Sequence, residues 1–129
     1  MQLDQMVPLL PVADMSRSLD FYTQTLPFRV IQQVESEGRP VWALLAFKAI
    51  RLMISQANSD TDGSADSPTA DRGATLYFYV PDARRLHATL STTHAVGAIE
   101  RERFGLEGFT MRDPDGYALA FGSPLMQIA

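Results

Sequence analysis

Few side chains in this 129-residue chain can do chemistry, and their spacing narrows what that chemistry is. Cysteine is absent, which excludes disulfides, thiolate metal sites and a cysteine nucleophile together. Of the two histidines, His87 falls inside a helix-like segment and His94 just beyond it, where a solvated or half-buried imidazole is commoner than a catalytic one. Glu100 and Glu102 share one face of a strand-like run and alternate with Arg101 and Arg103. Paired carboxylates can exchange protons with a substrate, but alternating charge on a sheet edge is their more frequent cause. Tyr77 and Tyr79 also share a strand face, and two phenol tips on one face need water or a ligand. Trp42, the single tryptophan, and Phe104, in a loop before Gly105, are the remaining candidates for stacking.

The bulk properties exclude several partners. A formal net charge of −4 and no run of Lys or Arg give neither a nucleic acid nor an anionic membrane surface a reason to bind. No stretch approaches the roughly 18 apolar residues of a membrane span, so the expectation is a cytoplasmic protein. With 46% apolar residues the chain can bury one real core, and a single domain over 1–129 is expected.

The elements that must position these residues form a repeat. Val12-Ala13-Asp14 and Val80-Pro81-Asp82 stand 68 residues apart (80 − 12), each after an apolar run and each opening a helix-like segment. Strands are expected over 6–12, 29–34, 41–47 and 50–55, and again over 75–80, 97–103, 108–112 and 117–121. Met15, Leu19, Tyr22 and Leu26 mark a helix over about 15–25; Ala83, Leu86 and Leu90 mark a second. Glu37-Gly38-Arg39-Pro40 and Asp113-Pro114-Asp115-Gly116 are turns. Residues 57–74 hold four Asp, three Ser, two Gly and one Pro without a large apolar side chain, which reads as a linker, either a solvated connector or a lid. The fold class is α+β: two βαβββ half-modules, about 1–56 and 75–124, with helices on one face of a curled mixed sheet and a cleft on the other.

Val12-Ala13-Asp14-Met15-Ser16-Arg17-Ser18-Leu19-Asp20-Phe21-Tyr22 and the closing Arg112-Asp113-Pro114-Asp115-Gly116-Tyr117-Ala118-Leu119 resemble the vicinal oxygen chelate superfamily of glyoxalases, extradiol dioxygenases and antibiotic resistance proteins. For its metal-dependent members the resemblance implies ligands from the first and fourth strand of each half. Carried onto this chain, those positions are Val7 and Thr75, and Leu52 and Ala120, each pair offset by 68 (75 − 7; 120 − 52). None is His, Glu or Gln, so no metal and no cofactor is expected. The chain then resembles most closely the bleomycin resistance proteins, which sequester a drug without a metal of their own. It departs from them where drug-binding members carry Trp-Gly, since Phe104-Gly105 stands there.

If Val7, Leu52, Thr75 and Ala120 face the cleft, strand alternation sends Leu9, Ile50, Ile54, Tyr77, Tyr79 and Ala118 the same way. With Trp42 and Phe104, these residues form an apolar floor with two phenols, suited to a hydrophobic or aromatic small molecule, and the net charge favours a cationic one. The resemblance also implies a homodimer, with modules pairing within a chain or swapped between chains. Two rivals remain. One is a metal-dependent lyase, isomerase or dioxygenase using displaced ligands such as Glu35, Glu100 or His87; the other is a regulatory or scaffold subunit with a vestigial, filled cleft.

Overall fold

The computed structural model describes residues 1–57, 73–101 and 105–125. Nearly all of the acidic linker, together with Glu102, Arg103 and Phe104, lies outside the described residues. The chain divides into two compact units, Met1–Pro68 and Thr69–Ala129. Each is an α+β module with one four-stranded mixed sheet, so the tandem βαβββ architecture expected from the repeat is present.

In the first unit β1 (Leu9–Val12) leads into α1 (Met15–Asp20), and β2 (Arg29–Ser36), β3 (Arg39–Phe47) and β4 (Ile50–Gln56) follow. The sheet order is β1-β4-β3-β2, with β1 parallel to β4 and the other pairs antiparallel. β1 is shorter than the apolar run because Pro8 lacks an N–H; its carbonyl still accepts from Met53 N at 2.8 Å. The Asp14 carboxylate accepts from Arg17 N at 3.1 Å and caps α1, a contact of the kind whose loss costs about 0.5–2 kcal/mol. Past Asp20 the helix widens into a π-helical turn, Phe21–Thr25, closed by Leu26 N on the Phe21 carbonyl at 3.1 Å. That turn packs Tyr22, fully buried, edge-on against Phe21 and Phe28. α1 packs on β3 and β4, and Leu10, Val12, Leu45, Leu52 and Ile54 are buried on the face beneath it.

The second unit repeats the plan with β5 (Thr75–Tyr79), α2 (Ala83–Leu90), β6 (Glu100–Arg101), β7 (Leu106–Arg112) and β8 (Ala118–Pro124), in the order β5-β8-β7-β6. Asp82 caps α2 through Arg85 N at 3.1 Å. Under α2 the rings of Phe78, Phe121 and Phe109 stack at centroid spacings of 5.3 Å, and His87 meets Phe109 edge-on at 5.0 Å. Of the strand expected over 97–103, the described residues form only β6 and an isolated bridge from Val96 to Met111. The Asp-Pro-Asp-Gly turn joins β7 to β8. One Asp113 carboxylate oxygen accepts from Asp115 N and Tyr117 N, both at 2.9 Å, while Gly116 takes φ 89°, a left-handed conformation that a side chain resists.

Candidate functional site

Register decides which side chains leave the helix-covered face. In the first unit Leu9 is paired with Met53 and Leu10 with Ile54; in the second, Tyr77 is paired with Ala120. The repeat offset is thus 68 along the first strands (77 − 9) but 67 along the fourth (120 − 53). The equivalent of Ala120 is therefore Met53 and not Leu52. Because successive strand side chains point to opposite faces, that one-residue difference turns Leu52 over. Leu52 is 2% exposed and Ile54 0%, both in the core under α1, and Ile50, paired with Phe47, sits on the same helix-covered side. The expectation that these three line the cleft is corrected on this ground.

The helix-free face of the first unit holds Leu9 on β1, half exposed, then Met53 and Ser55 on β4 and Leu44 and Trp42 on β3. Trp42 is half-buried and in register with both Ser55 and Val34. Val7, just ahead of β1, is half-buried. On the second unit's helix-free face, Thr75, Tyr77 and Tyr79 run along β5, and Ala118, Ala120 and Gly122 lie beside them on β8. Beyond these come Arg112, Thr110 and Gly108 on β7. The tyrosine rings are 5.4 Å apart and tilted by 50°, with Tyr79 77% exposed. Tyr77 lies across Gly122, so close that a β-carbon there would approach its Cζ to 2.9 Å. Small residues at 118, 120 and 122 keep this face low, and period-two spacing of Ala, Ala and Gly was the signal for Gly122 in the sequence. Met53 and Leu44 carried no such signal, because their face depends on register alone.

The residues at the four positions equivalent to the superfamily's ligands, Val7, Met53, Thr75 and Ala120, do not fit a divalent metal. One hydroxyl and one thioether are the only donors, whereas such ions take three or more N, O or thiolate ligands. Of the displaced candidates, the two in the second unit lie apart: His87 Nε2 is 2.8 Å from the Gly97 carbonyl on the α2 side of the sheet, while Glu100, in register with Gly108, belongs to the opposite face. In the first unit Glu35 lies on exposed edge strand β2, paired with Pro40, and accepts from Gln33 at 3.1 Å.

Two concavities border the second sheet. One of about 890 Å³ lies at the start of α2 and is walled by Arg84, Arg85, Arg101, Asp82 and Glu107. Its walls are charged, and Arg84 is already engaged by Glu107 at 2.6 and 3.2 Å, so it is a poor receptacle for an apolar ligand. The other, about 410 Å³, runs beside β7 and is bordered by Thr110, Arg112 and His94.

Two tandem modules, each with a helix on one sheet face and an apolar or aromatic surface on the other, define a paired-module α+β protein in which no group of three or more His, Asp or Glu that could hold a metal comes together among the described residues. The chain belongs to the Glyoxalase/Bleomycin resistance protein/Dioxygenase superfamily, whose family model matches residues 2–121. Solved structures share the fold. The bleomycin-binding protein of Streptomyces verticillus in complex with copper(II)-bleomycin is 21% identical, with a TM-score of 0.69 over 98% of this chain and 99% of that one. TnmS3, an antibiotic-binding protein from Streptomyces sp. CB03234, is 22% identical, with a TM-score of 0.71 over 97% and 99%. The bleomycin resistance determinant of transposon Tn5 is 20% identical, with a TM-score of 0.67 over 96% and 100%. No curated protein matches. Small-molecule binding is thus an activity found within this fold, and no helix among the described residues is long and apolar enough to cross a membrane.

Proposed function

We propose that this protein is a metal-free binder of a hydrophobic or aromatic small molecule, acting by sequestration in the cytoplasm and not by catalysis. The observation that carries the reading is the platform on the second sheet, where Tyr77 is laid over Gly122 with Tyr79 beside it and, among the described residues of that unit, α2 on the opposite face. Each ring offers a face for stacking at about 0.5–1.5 kcal/mol beyond area burial, and the exposed Tyr79 hydroxyl a directional hydrogen bond. Trp42, Leu44, Met53 and Leu9 add an apolar surface on the first sheet. The drug-binding neighbours support the reading.

Titrating the chain with planar aromatic compounds and, separately, with bleomycin tests it through tryptophan and tyrosine fluorescence. Saturable change is the expected result; a flat response across a broad hydrophobic library overturns it. A homodimer belongs to the same proposal. Leu9 and Val34, 52% and 49% exposed, leave apolar surface on the helix-free face that a ligand or a second copy would cover. Light scattering on a size-exclusion peak should give twice the chain mass, and a monomer removes that part.

A further inference from the structure

The helix-free face of the first unit carries arginines although the chain as a whole is negative. The chain is −4, yet by register Arg29 and Arg51 stand on that face; on the second unit's helix-free face stands Arg112, with Glu100, in register with Gly108, two rows away from it. The arginines are also placed alike. Arg29, Ala46 and Arg51 form one row across β2, β3 and β4, and Arg112, Ala118 and Thr75 one row across β7, β8 and β5. Each row lies at the end of its sheet where the first strand begins, and the aromatic residues lie toward the other end: Trp42 in the row of Ser55, Tyr79 in the row of Gly122. Rows on one face are about 7 Å apart along the strand, so guanidinium and aromatic rows are separated by about 13 Å in each unit.

Turn stabilisation explains part of this and leaves the rest. Arg51 Nη1 donates to the carbonyls of Lys48 and Ile50, and Arg112 Nη1 to that of Gly116 at 2.8 Å. Among the described residues neither guanidinium engages its Nε and Nη2 edge, the edge that matches a carboxylate or phosphate with two parallel hydrogen bonds. Arg29 is exposed and meets no carboxylate among the described residues, so two cations flank Ala46 uncompensated. In the second unit Arg112 and Thr110 also border the concavity of about 410 Å³, a ligand-sized space.

We infer that the ligand is an amphiphilic oxyanion, an aromatic or apolar body bearing a carboxylate or phosphate about 10–13 Å from its far end, a distance set by strand rise. The oxyanion is held by the arginine rows and the body rests on Tyr77 and Tyr79 or on Trp42. This rests on the binding function proposed above and names its ligand class; the cation favoured by net charge is replaced because arginines, with no carboxylate in their own rows, occupy that end of each face.

Calorimetry on the full chain with biphenyl-4-carboxylate, biphenyl-4-yl phosphate, biphenyl-4-carboxamide and biphenyl-4-ylmethylammonium tests it. The expected result is an anion at least about ten-fold tighter than the amide at low salt, with the gap closing as salt screens the pair. The carboxylate and phosphate arms tell the two oxyanions apart. Arg29→Gln, which removes no contact among the described residues, and Arg112→Gln should each narrow the gap between anion and amide, and Arg85→Gln on the α2 side should leave it unchanged. Equal or tighter binding of the ammonium compound, or a gap that survives both substitutions, overturns the inference and leaves the binding function standing. Binding of none of the four overturns the inference too, while the fluorescence library decides the binding function.

Discussion

The phenol end of Tyr77 reaches over Gly122, and the second sheet has room for it only because position 122 has no β-carbon. The two residues are on adjacent parallel strands, with Tyr79 in register with Gly122 and Tyr77 one row away. Gly122→Ala should lift the ring and break the platform. Overpacking of this kind costs about 1–3 kcal/mol of stability. Aromatic ligand affinity is expected to fall about ten-fold, and Tyr77→Ala in the Gly122→Ala background should give no further loss. Additive losses in that double-mutant cycle would mean that the two positions act separately.

Tyr79 is 77% exposed, so its truncation isolates binding from folding. Tyr79→Ala should leave the thermal midpoint nearly unchanged while weakening aromatic ligands by about 0.5–1.5 kcal/mol, or roughly two- to ten-fold. A drop in midpoint without a change in affinity would assign the ring to structure.

Leu52 and Met53 are neighbours in sequence on opposite faces of β4. Leu52→Ala removes a side chain from the core and should cost about 2–5 kcal/mol in denaturant unfolding. Met53→Ala should cost clearly less and instead reduce ligand affinity. Equal destabilisation by the two would contradict the register that separates them.

The donor set at Val7, Met53, Thr75 and Ala120 predicts indifference to metal. Chelator treatment followed by added Zn²⁺, Mn²⁺ or Fe²⁺ should shift neither the thermal midpoint nor ligand affinity beyond error. A stoichiometric metal retained through purification in defined buffer would reopen the metal-dependent lyase or dioxygenase reading.

The turn residue Asp113 predicts a stability effect. Its carboxylate accepts two backbone N–H groups from a 4% exposed position, and Asp113→Ala leaves both donors short of a partner at about 1–3 kcal/mol each. Asp113→Asn, which keeps an acceptor oxygen, should recover most of the loss in a thermal melt.

The sequence by itself determined the doubled α+β module, because local rules write it twice. Asp14 and Asp82 cap helices at equal places, apolar alternation sets strands around them, and Asp113-Pro114-Asp115-Gly116 closes a hairpin by backbone preference alone. It also determined, through Val7, Thr75 and Ala120, that the superfamily's metal donors are absent. Tertiary structure decided which side chains face outward on the first sheet. The bulges between β2 and β3, and an offset of 68 on one strand pair but 67 on the other, are settled by long-range pairing, and a shift of one residue reverses a strand's faces. Hence Leu52 went to the core and Met53 to the surface. The arginine rows came into view only once β2, β3 and β4 were laid side by side, since Arg29, Ala46 and Arg51 are distant in sequence and adjacent only through the sheet.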